Sequence, residues 1–126
     1  MEKRKFHRIR LTARCALTHN GITYHGHTEN MSLNGALISF SDGIIVPKGE
    51  ECVVLVFLDD EEAPLRLVVE VVYSFYTMLG TKIVQVDEET QARLVAVVER
   101  VTDEPEKLKE EIERMKESIA RYLAPA

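Results

Sequence analysis

The sequence has no apolar run long enough to cross a membrane as a helix. Its longest uninterrupted run, residues 52–58, has the length of a β-strand, whereas a spanning helix needs roughly 18–20 apolar residues. The charged amino-terminal segment is not followed by the apolar stretch that a secretory signal contains. We therefore expect a cytoplasmic protein that does not insert into a membrane.

Cysteine and metal-ligand patterns are also sparse. The two cysteines, Cys15 and Cys52, form no C-x-x-C pair and are too few for the disulfide framework of a small secreted domain. We interpret both as reduced, buried thiols. The histidines His19, His25 and His27 have no Cys, Asp or Glu at a spacing that would complete a metal site. We interpret them as surface residues of hairpins and predict no bound metal.

The motifs of common enzyme classes are missing. The sequence contains no G-x-S-x-G, no H-E-x-x-H and no glycine-rich phosphate loop. The acidic residues 59–62 occupy a predicted turn, where we interpret them as solvated. Catalysis needs a pocket with reactive groups within reach of one another, and no pattern in the sequence indicates one. We predict that the protein is not an enzyme.

Charge is distributed unevenly along the chain. The formal net charge is −5, yet the first 14 residues carry one acidic and six basic side chains. The acidic surface would repel a long polyanion, so we predict no binding to DNA or RNA. A small, compact anion could still bind to the basic segment. The basic residues are Lys3, Arg4, Lys5, Arg8, Arg10 and Arg14.

The length of 126 residues fits one domain, and residues 11–86 have the character of consecutive β-strands. Val, Ile, Thr, Tyr and Phe are frequent there, and turn signals recur at short intervals. Asn20-Gly21 predicts a two-residue hairpin turn, and residues 42–43 and 47–49 predict further turns. Gly80 is taken as the entry to a last strand at residues 81–86. The pattern predicts an antiparallel barrel or sandwich, which makes the fold mainly β.

A helical period begins after this region. Asp87 can cap a helix over residues 88–101, with Leu94, Val98 and Val101 on the face that packs on the β-domain. The segments are therefore a basic arm at 1–10, a β-domain with its helix at 11–102, and a separate carboxy-terminal segment at 103–126.

A second helix is predicted in the carboxy-terminal segment. Asp103 and Glu106 resemble a capping box around Pro105. The apolar stripe could dock on the parent domain, or it could pair with another chain through residues 105–123. The spacing favours the second alternative, a homo-oligomer. Apolar residues follow at the heptad positions Leu108, Ile112, Met115, Ile119 and Tyr122.

Two short motifs carry the chemistry. Arg4 and Arg8 form an R-x-x-x-R spacing in the arm, and arginine forks match phosphate oxygens. Asn30 and Ser32, two apart in an extended chain, point to the same face and can hydrogen-bond the edge of a base. Gly35 permits a backbone conformation or a close approach that a Cβ forbids. Taken separately, the arm could be a solvated tail and the second segment a polar turn.

Together, in this order, the two motifs resemble the paired signature of the PilZ domain family, R-x-x-x-R followed by [D/N]-x-S-x-x-G. The resemblance extends over residues 2–101. It implies a six-stranded antiparallel barrel followed by a packed helix, so that the carboxy-terminal heptad-patterned helix is an addition. It also implies a receptor for cyclic di-GMP.

The resemblance also implies roles for individual residues. Arg4 and Arg8 would grip the phosphates and stack on guanine, with Lys5 where many members have another arginine. Asn30 and Ser32 would contact guanine.

Gly35 would shape the loop, and ligand binding would order a mobile arm and signal to a partner. The alternative implied by the family is a PilZ-like interaction module that binds no nucleotide.

Overall fold

The computed structural model describes residues 6–41, 43–44, 46–59 and 63–122, with only the backbone described for residues 115–122. Residues Arg4 and Lys5 lie outside this part of the chain. Seven strands and two helices follow one another. They are β1 (Ile9–Arg10), β2 (Arg14–His19), β3 (Ile22–Ser32), β4 (Gly35–Phe40), β5 (Glu51–Phe57), β6 (Leu65–Phe75), β7 (Met78–Gln85), α1 (Glu88–Val101) and α2 (Pro105–Tyr122).

Six of these strands close into an antiparallel barrel. Their order is β3-β2-β5-β6-β7-β4, and pairing between β3 and β4 completes the circle. The short β1 pairs with the end of β3 that β2 leaves free. Closure leaves no long unpaired edge among the six strands. The prediction of a mainly β, six-stranded antiparallel barrel is confirmed, and the sandwich alternative is wrong.

The core lies inside the barrel and under α1. Alternate residues face inward most clearly in β5, where every second residue is buried. Fully buried side chains such as Leu17, Val54, Leu67 and Leu79 fill the interior. Each contributes about 1.5–3 kcal/mol by leaving water. Leu94 of α1 belongs to the same apolar cluster, so the helix seals the barrel.

The β2–β3 turn was predicted correctly from the sequence, and the β6–β7 turn was not. Asn20 and Gly21 have φ angles of 50° and 80°, which confirms the predicted type I′ hairpin between β2 and β3. The β6–β7 turn was missed because Tyr76, with φ of 53°, is not a typical turn residue. β7 therefore begins at Met78, and Gly80 lies within the strand instead of at its entry.

Helix α1 has the predicted bounds. Asp87 caps it by accepting a hydrogen bond from the Thr90 N–H at 2.7 Å. That bond, together with one from the Thr90 side chain, lowers the pKa of the Asp87 carboxyl. The predicted packing face is wrong at one position: Val101 is 41% exposed, and Val97 is buried in its place because it lies nearer the centre of the apolar stripe.

Helix α2 is present, but its heptad seam is not confirmed. Leu108 is buried and Ile112 is partly buried, and both pack against the chain's own core, which is the docking alternative. Met115 and the later seam side chains lie outside the described side chains, and nothing observed supports a homo-oligomer. Neither helix combines, over its described residues, the length and apolar character that a membrane crossing requires.

Candidate ligand-binding site

The β1–β3 pairing joins the basic arm to the barrel. Ile9 lies opposite Met31, and both side chains enter the core. The same antiparallel register, extended by one residue, places Arg8 opposite Ser32. Because neighbouring residues of a strand face opposite sides, Arg8 and Ser32 point away from the core. Residues of the two predicted motifs therefore lie side by side.

Asn30 lies two positions from Ser32 along the same pairing, opposite Arg10. A register shift between Thr28 and Asn30 forms a bulge at Glu29. The bulge allows Thr28 and Met31, three residues apart, both to be buried, and it leaves Asn30 on the outer side. The Asn30 Oδ1 is buried and has no hydrogen-bond partner among the described residues. A buried acceptor without a donor is destabilising, so Asn30 Oδ1 holds an unused hydrogen-bonding capacity next to the β1–β3 pairing.

Ser32 is buried and already holds the β3–β4 turn together. Its hydroxyl donates to Asn34 Oδ1 at 2.8 Å and accepts from the Asn34 N–H at 3.2 Å. A hydroxyl has one proton and two lone pairs, so Ser32 retains one lone pair. Towards a ligand it can act as an acceptor without disturbing the turn.

Gly35 is required for close strand packing. A Cβ at this position would lie 2.1 Å from the carbonyl oxygen of Thr81 on β7, far inside van der Waals contact. Its φ is not in the left-handed region. Of the two reasons considered for a glycine here, this supports a close backbone approach and not a special backbone conformation, and the role in shaping the loop stays a prediction.

Arg8, Ser32 and Gly35 line one cleft of about 510 Å³, here called the arm–barrel cleft. This volume lies within the usual range for small-molecule sites. Asn30 is beside the cleft through its pairing but does not line it. Arg4 and Lys5 lie outside the described residues. The remaining lining residues are Phe6, Asn34, Ala36, Leu37, Val72, Tyr73, Gly80 and Thr81.

Tyr73 is a lining residue that the sequence motifs did not indicate. It lies on β6 opposite Gly80, is 50% exposed, and stacks on Phe75 with 6.3 Å between ring centroids. Phe75 in turn meets Tyr76 edge-on at 4.5 Å. The sequence did contain a signal for this aromatic surface. Outward positions of a strand are ordinarily polar, whereas three of the four residues 73–76 are aromatic. Exposed aromatic faces can stack on bases.

The arm is anchored by α2. The buried His7 hydrogen-bonds the Glu111 carboxylate, and the Arg114 guanidinium lies 5.5 Å from the centroid of the Phe6 ring. The sequence predicted a mobile arm because like charges repel and few apolar groups could hold it. The contacts of Phe6 and His7 with α2 were not expected from the sequence, and the mobility of the arm stays a prediction.

The remaining candidate ligands are accounted for by local contacts. His27 Nε2 lies 3.0 Å from Glu29 Oε1, and His19 Nε2 lies 3.2 Å from Glu50 Oε1. Within the described ranges no three His, Cys, Asp or Glu side chains converge on a point that could hold a metal. A hydrogen bond from Ser39, followed by that of His27, lowers the pKa of Glu29.

The two cysteines are free and buried, as predicted. Burial raises the pKa of Cys15 to about 11 and also raises the pKa of Cys52, with the Glu50 charge adding to the latter effect. Both thiols therefore stay protonated at neutral pH and are weak nucleophiles.

The motifs, the closed barrel and the capping helix occur together in one known family. The PilZ domain model matches residues 2–100, most of the chain. This chain belongs to the PilZ domain family. The match ends before α2 begins. No curated protein sequence matches the PilZ chain significantly.

Solved PilZ structures share the fold at low identity. The PilZ domain of YcgR from Escherichia coli, solved with c-di-GMP, has a TM-score of 0.68 at 12% identity, covering 79% of this chain and 92% of that one. The PilZ domain of CeSA from a cellulose-synthesising bacterium has a TM-score of 0.60 at 19% identity, covering 73% and 94%.

The Bacillus subtilis inhibitor of motility MotI/DgrA has a TM-score of 0.67 at 16% identity. The match covers 79% of this PilZ chain and 51% of MotI, so the chain spans about half the length of that protein. At these identities the likeness establishes the fold.

Proposed function

We propose that this protein is a cyclic di-GMP receptor that binds its ligand in the arm–barrel cleft, and that it is not an enzyme. The observation that carries the proposal is the β1–β3 register, which sets Arg8 opposite Ser32, both lining one cleft with Gly35. Membership of the PilZ family and the c-di-GMP in the YcgR structure support cyclic di-GMP as the ligand.

The arm supplies positive charge for the two phosphates. Arg8 is exposed at the cleft, where its guanidinium can form charge-assisted bonds of about 1.5–3 kcal/mol each with phosphate oxygens. Its planar group can also stack on a purine. By resemblance to the family, Arg4 and Lys5 add further phosphate contacts, although a lysine lacks the bidentate fork.

The barrel supplies acceptors for guanine. Guanine presents N–H donors on its Watson–Crick edge, and the buried Asn30 Oδ1 and the remaining lone pair of Ser32 are both acceptors. Pairing the Asn30 oxygen would remove the cost of a buried, unbonded acceptor. Adenine lacks the corresponding donors, which makes cyclic di-AMP a matched control.

The bound ligand bridges the arm and the barrel. In this proposal the ligand's phosphates order the residues of the arm that precede Phe6. A partner protein then binds to the surface formed in this way. The exposed aromatic side chains Tyr73, Phe75 and Tyr76 favour such a docking role. They also support the alternative function, an interaction module that binds no nucleotide.

Calorimetric titration with cyclic di-GMP tests the proposal. We expect a Kd in the low micromolar range or tighter, about −8 kcal/mol, with no binding of GTP or cyclic di-AMP. Arg8→Ala and Ser32→Ala should each abolish or strongly weaken binding.

Arg66→Ala is the matched control for charge. Arg66 is exposed on β6, seven residues before Tyr73 and hence about 23 Å from it along the strand. It should bind like the wild type. No heat and no thermal shift near millimolar ligand would reject the receptor and leave the interaction module.

A further inference from the structure

His7 lies inside the R-x-x-x-R motif, yet it does not line the arm–barrel cleft. Arg8, the next residue, is exposed at the arm–barrel cleft, while His7 is 6% exposed and faces α2. Its partner Glu111 is 0% exposed. A charged side chain is almost never buried this completely without a specific partner. The contact between Glu111 and His7 is therefore a specific interaction whose role must be identified.

The contact fixes the arm through both backbone and side chain. The Glu111 carboxylate accepts from the His7 backbone N–H at 3.0 Å and lies 2.8 Å and 2.9 Å from the ring Nδ1. On the other side of the ring, Nε2 lies 2.6 Å from Thr102 Oγ1, which itself accepts from the Glu104 N–H. Both ring nitrogens of His7 therefore have a partner at the contact between the arm and the carboxy-terminal helical region.

Helix α2 is a rigid support for this bond. Leu108, one turn before Glu111, is buried in the core, and Ile112 packs beside it. Phe6 adds the contact with Arg114 on the next turn of the helix. The helix lies beyond residues 2–100, the part that the PilZ family model matches. The position of the arm in this chain therefore depends on an element outside the matched domain.

We propose that Glu111 is a positioning residue for cyclic di-GMP binding: through His7 it holds Arg8 at the cleft before the ligand arrives. This proposal rests on the proposed function. Holding Arg8 in place before binding reduces the conformational entropy that the arm loses when the ligand binds. By thermodynamic reciprocity, a ligand that prefers the held arm also strengthens the docking of α2. Ligand occupancy is thereby transmitted to the carboxy-terminal helix.

The first test compares affinities. Glu111→Ala should raise the Kd for cyclic di-GMP about tenfold, and Glu111→Gln, which keeps one acceptor oxygen, should raise it less. Glu110→Ala, on the exposed face of the same helix, should bind like the wild type. Thr102→Val removes the hydroxyl from Nε2 while preserving shape, and we expect a smaller loss in the same direction.

The second test begins with the wild-type protein and then repeats the measurement on Glu111→Ala. Amide hydrogen exchange is measured with and without saturating cyclic di-GMP. Exchange in residues 105–114 should slow on binding along with that in the β3–β4 hairpin. In Glu111→Ala, the hairpin should still respond to ligand while α2 does not, which a merely structural role would not produce.

The outcomes separate the two proposals. A wild-type protein that binds no cyclic di-GMP overturns the receptor function, and this inference with it. A wild-type protein that binds, but whose α2 exchange is indifferent to ligand, overturns this inference alone. Equal affinity in Glu111→Ala and Glu110→Ala would do the same.

Discussion

The two walls of the arm–barrel cleft are held by different forces. The barrel wall, represented by Ser32, Gly35 and Thr81, is part of the continuous backbone ladder of β3, β4 and β7. The arm wall consists of Phe6 and Arg8. The two residues that follow it, in β1, pair with β3, whereas the part before β1 depends on side-chain contacts with α2.

Because of this difference, we expect the barrel wall to be rigid and the arm wall to be adjustable within the same site. A backbone ladder resists local change because many hydrogen bonds must break together, whereas a wall attached through one carboxylate can open locally at lower cost. In the proposed receptor, we therefore expect the barrel wall to select the base and the arm wall to set the affinity for the phosphates.

Breaking the barrel wall should have the largest effect. Gly35→Ala forces a Cβ against the Thr81 carbonyl oxygen, 2.1 Å away, so β4 and β7 must separate. We expect a loss of about 3 kcal/mol in unfolding free energy, measured by urea denaturation. Gly43→Ala, where a Cβ meets nothing within 4 Å, is the control and should be close to neutral. Equal stability of the two variants would contradict the close-approach role.

Breaking the arm wall should cost less. His7→Ala leaves the buried Glu111 carboxylate without its ring donor, and we expect a loss of about 2 kcal/mol in unfolding free energy. The same urea measurement applies. His25→Ala, on the exposed face of β3, serves as the matched histidine control. A His7→Ala variant as stable as His25→Ala would show that α2 holds the arm by other contacts.

Removing an aromatic face from the barrel wall should affect the ligand but leave the fold intact. Tyr73→Ala should weaken cyclic di-GMP binding roughly fivefold, about 1 kcal/mol, through lost base stacking. Tyr76→Ala, at the tip of the same hairpin, 78% exposed and outside the cleft lining, should bind normally. Calorimetry decides: equal losses would assign the effect to the hairpin as a whole.

The smallest expected effect is that of acid on the Asp87 cap of α1, which lies outside both walls. The capped Asp87 has a pKa below its ordinary 3.8, so its stabilisation of α1 is present above about pH 4 and lost as pH falls through the folded pKa. Asn still caps a helix but does not titrate. The difference in Tm between wild type and Asp87→Asn should shrink from pH 7 to pH 3. Asp59→Asn, at an exposed turn, should show no such trend.

Local signals allowed much of the fold to be predicted. Asn20-Gly21 and the Asp87 cap each depend on a few consecutive residues, so their structures follow from sequence alone. The Tyr76 turn escaped prediction because neighbouring strands impose its positive φ. Gly80 was misplaced for a related reason: it makes room for Tyr73 across the strand pair, with Cβ atoms that would be 3.0 Å apart.

The candidate site was predictable in part. The motif positions Arg8, Ser32 and Gly35 line one cleft, because a short antiparallel pairing brings two extended segments together. The contact of His7 with Glu111 was not predictable. No periodicity or turn rule relates residues 104 positions apart, and the stripe on α2 suggested a partner chain instead of the arm.

The sequence separation of His7 and Glu111 also has a consequence for the order of folding. Sheet pairings such as β2–β3 close loops of a few residues and can form early, whereas the contact between His7 and Glu111 must close a loop of about a hundred residues. During synthesis, the strands of the barrel emerge from the ribosome well before Glu111. We therefore expect the barrel to form first and the contact between His7 and Glu111 to form last, once the chain has been made through α2.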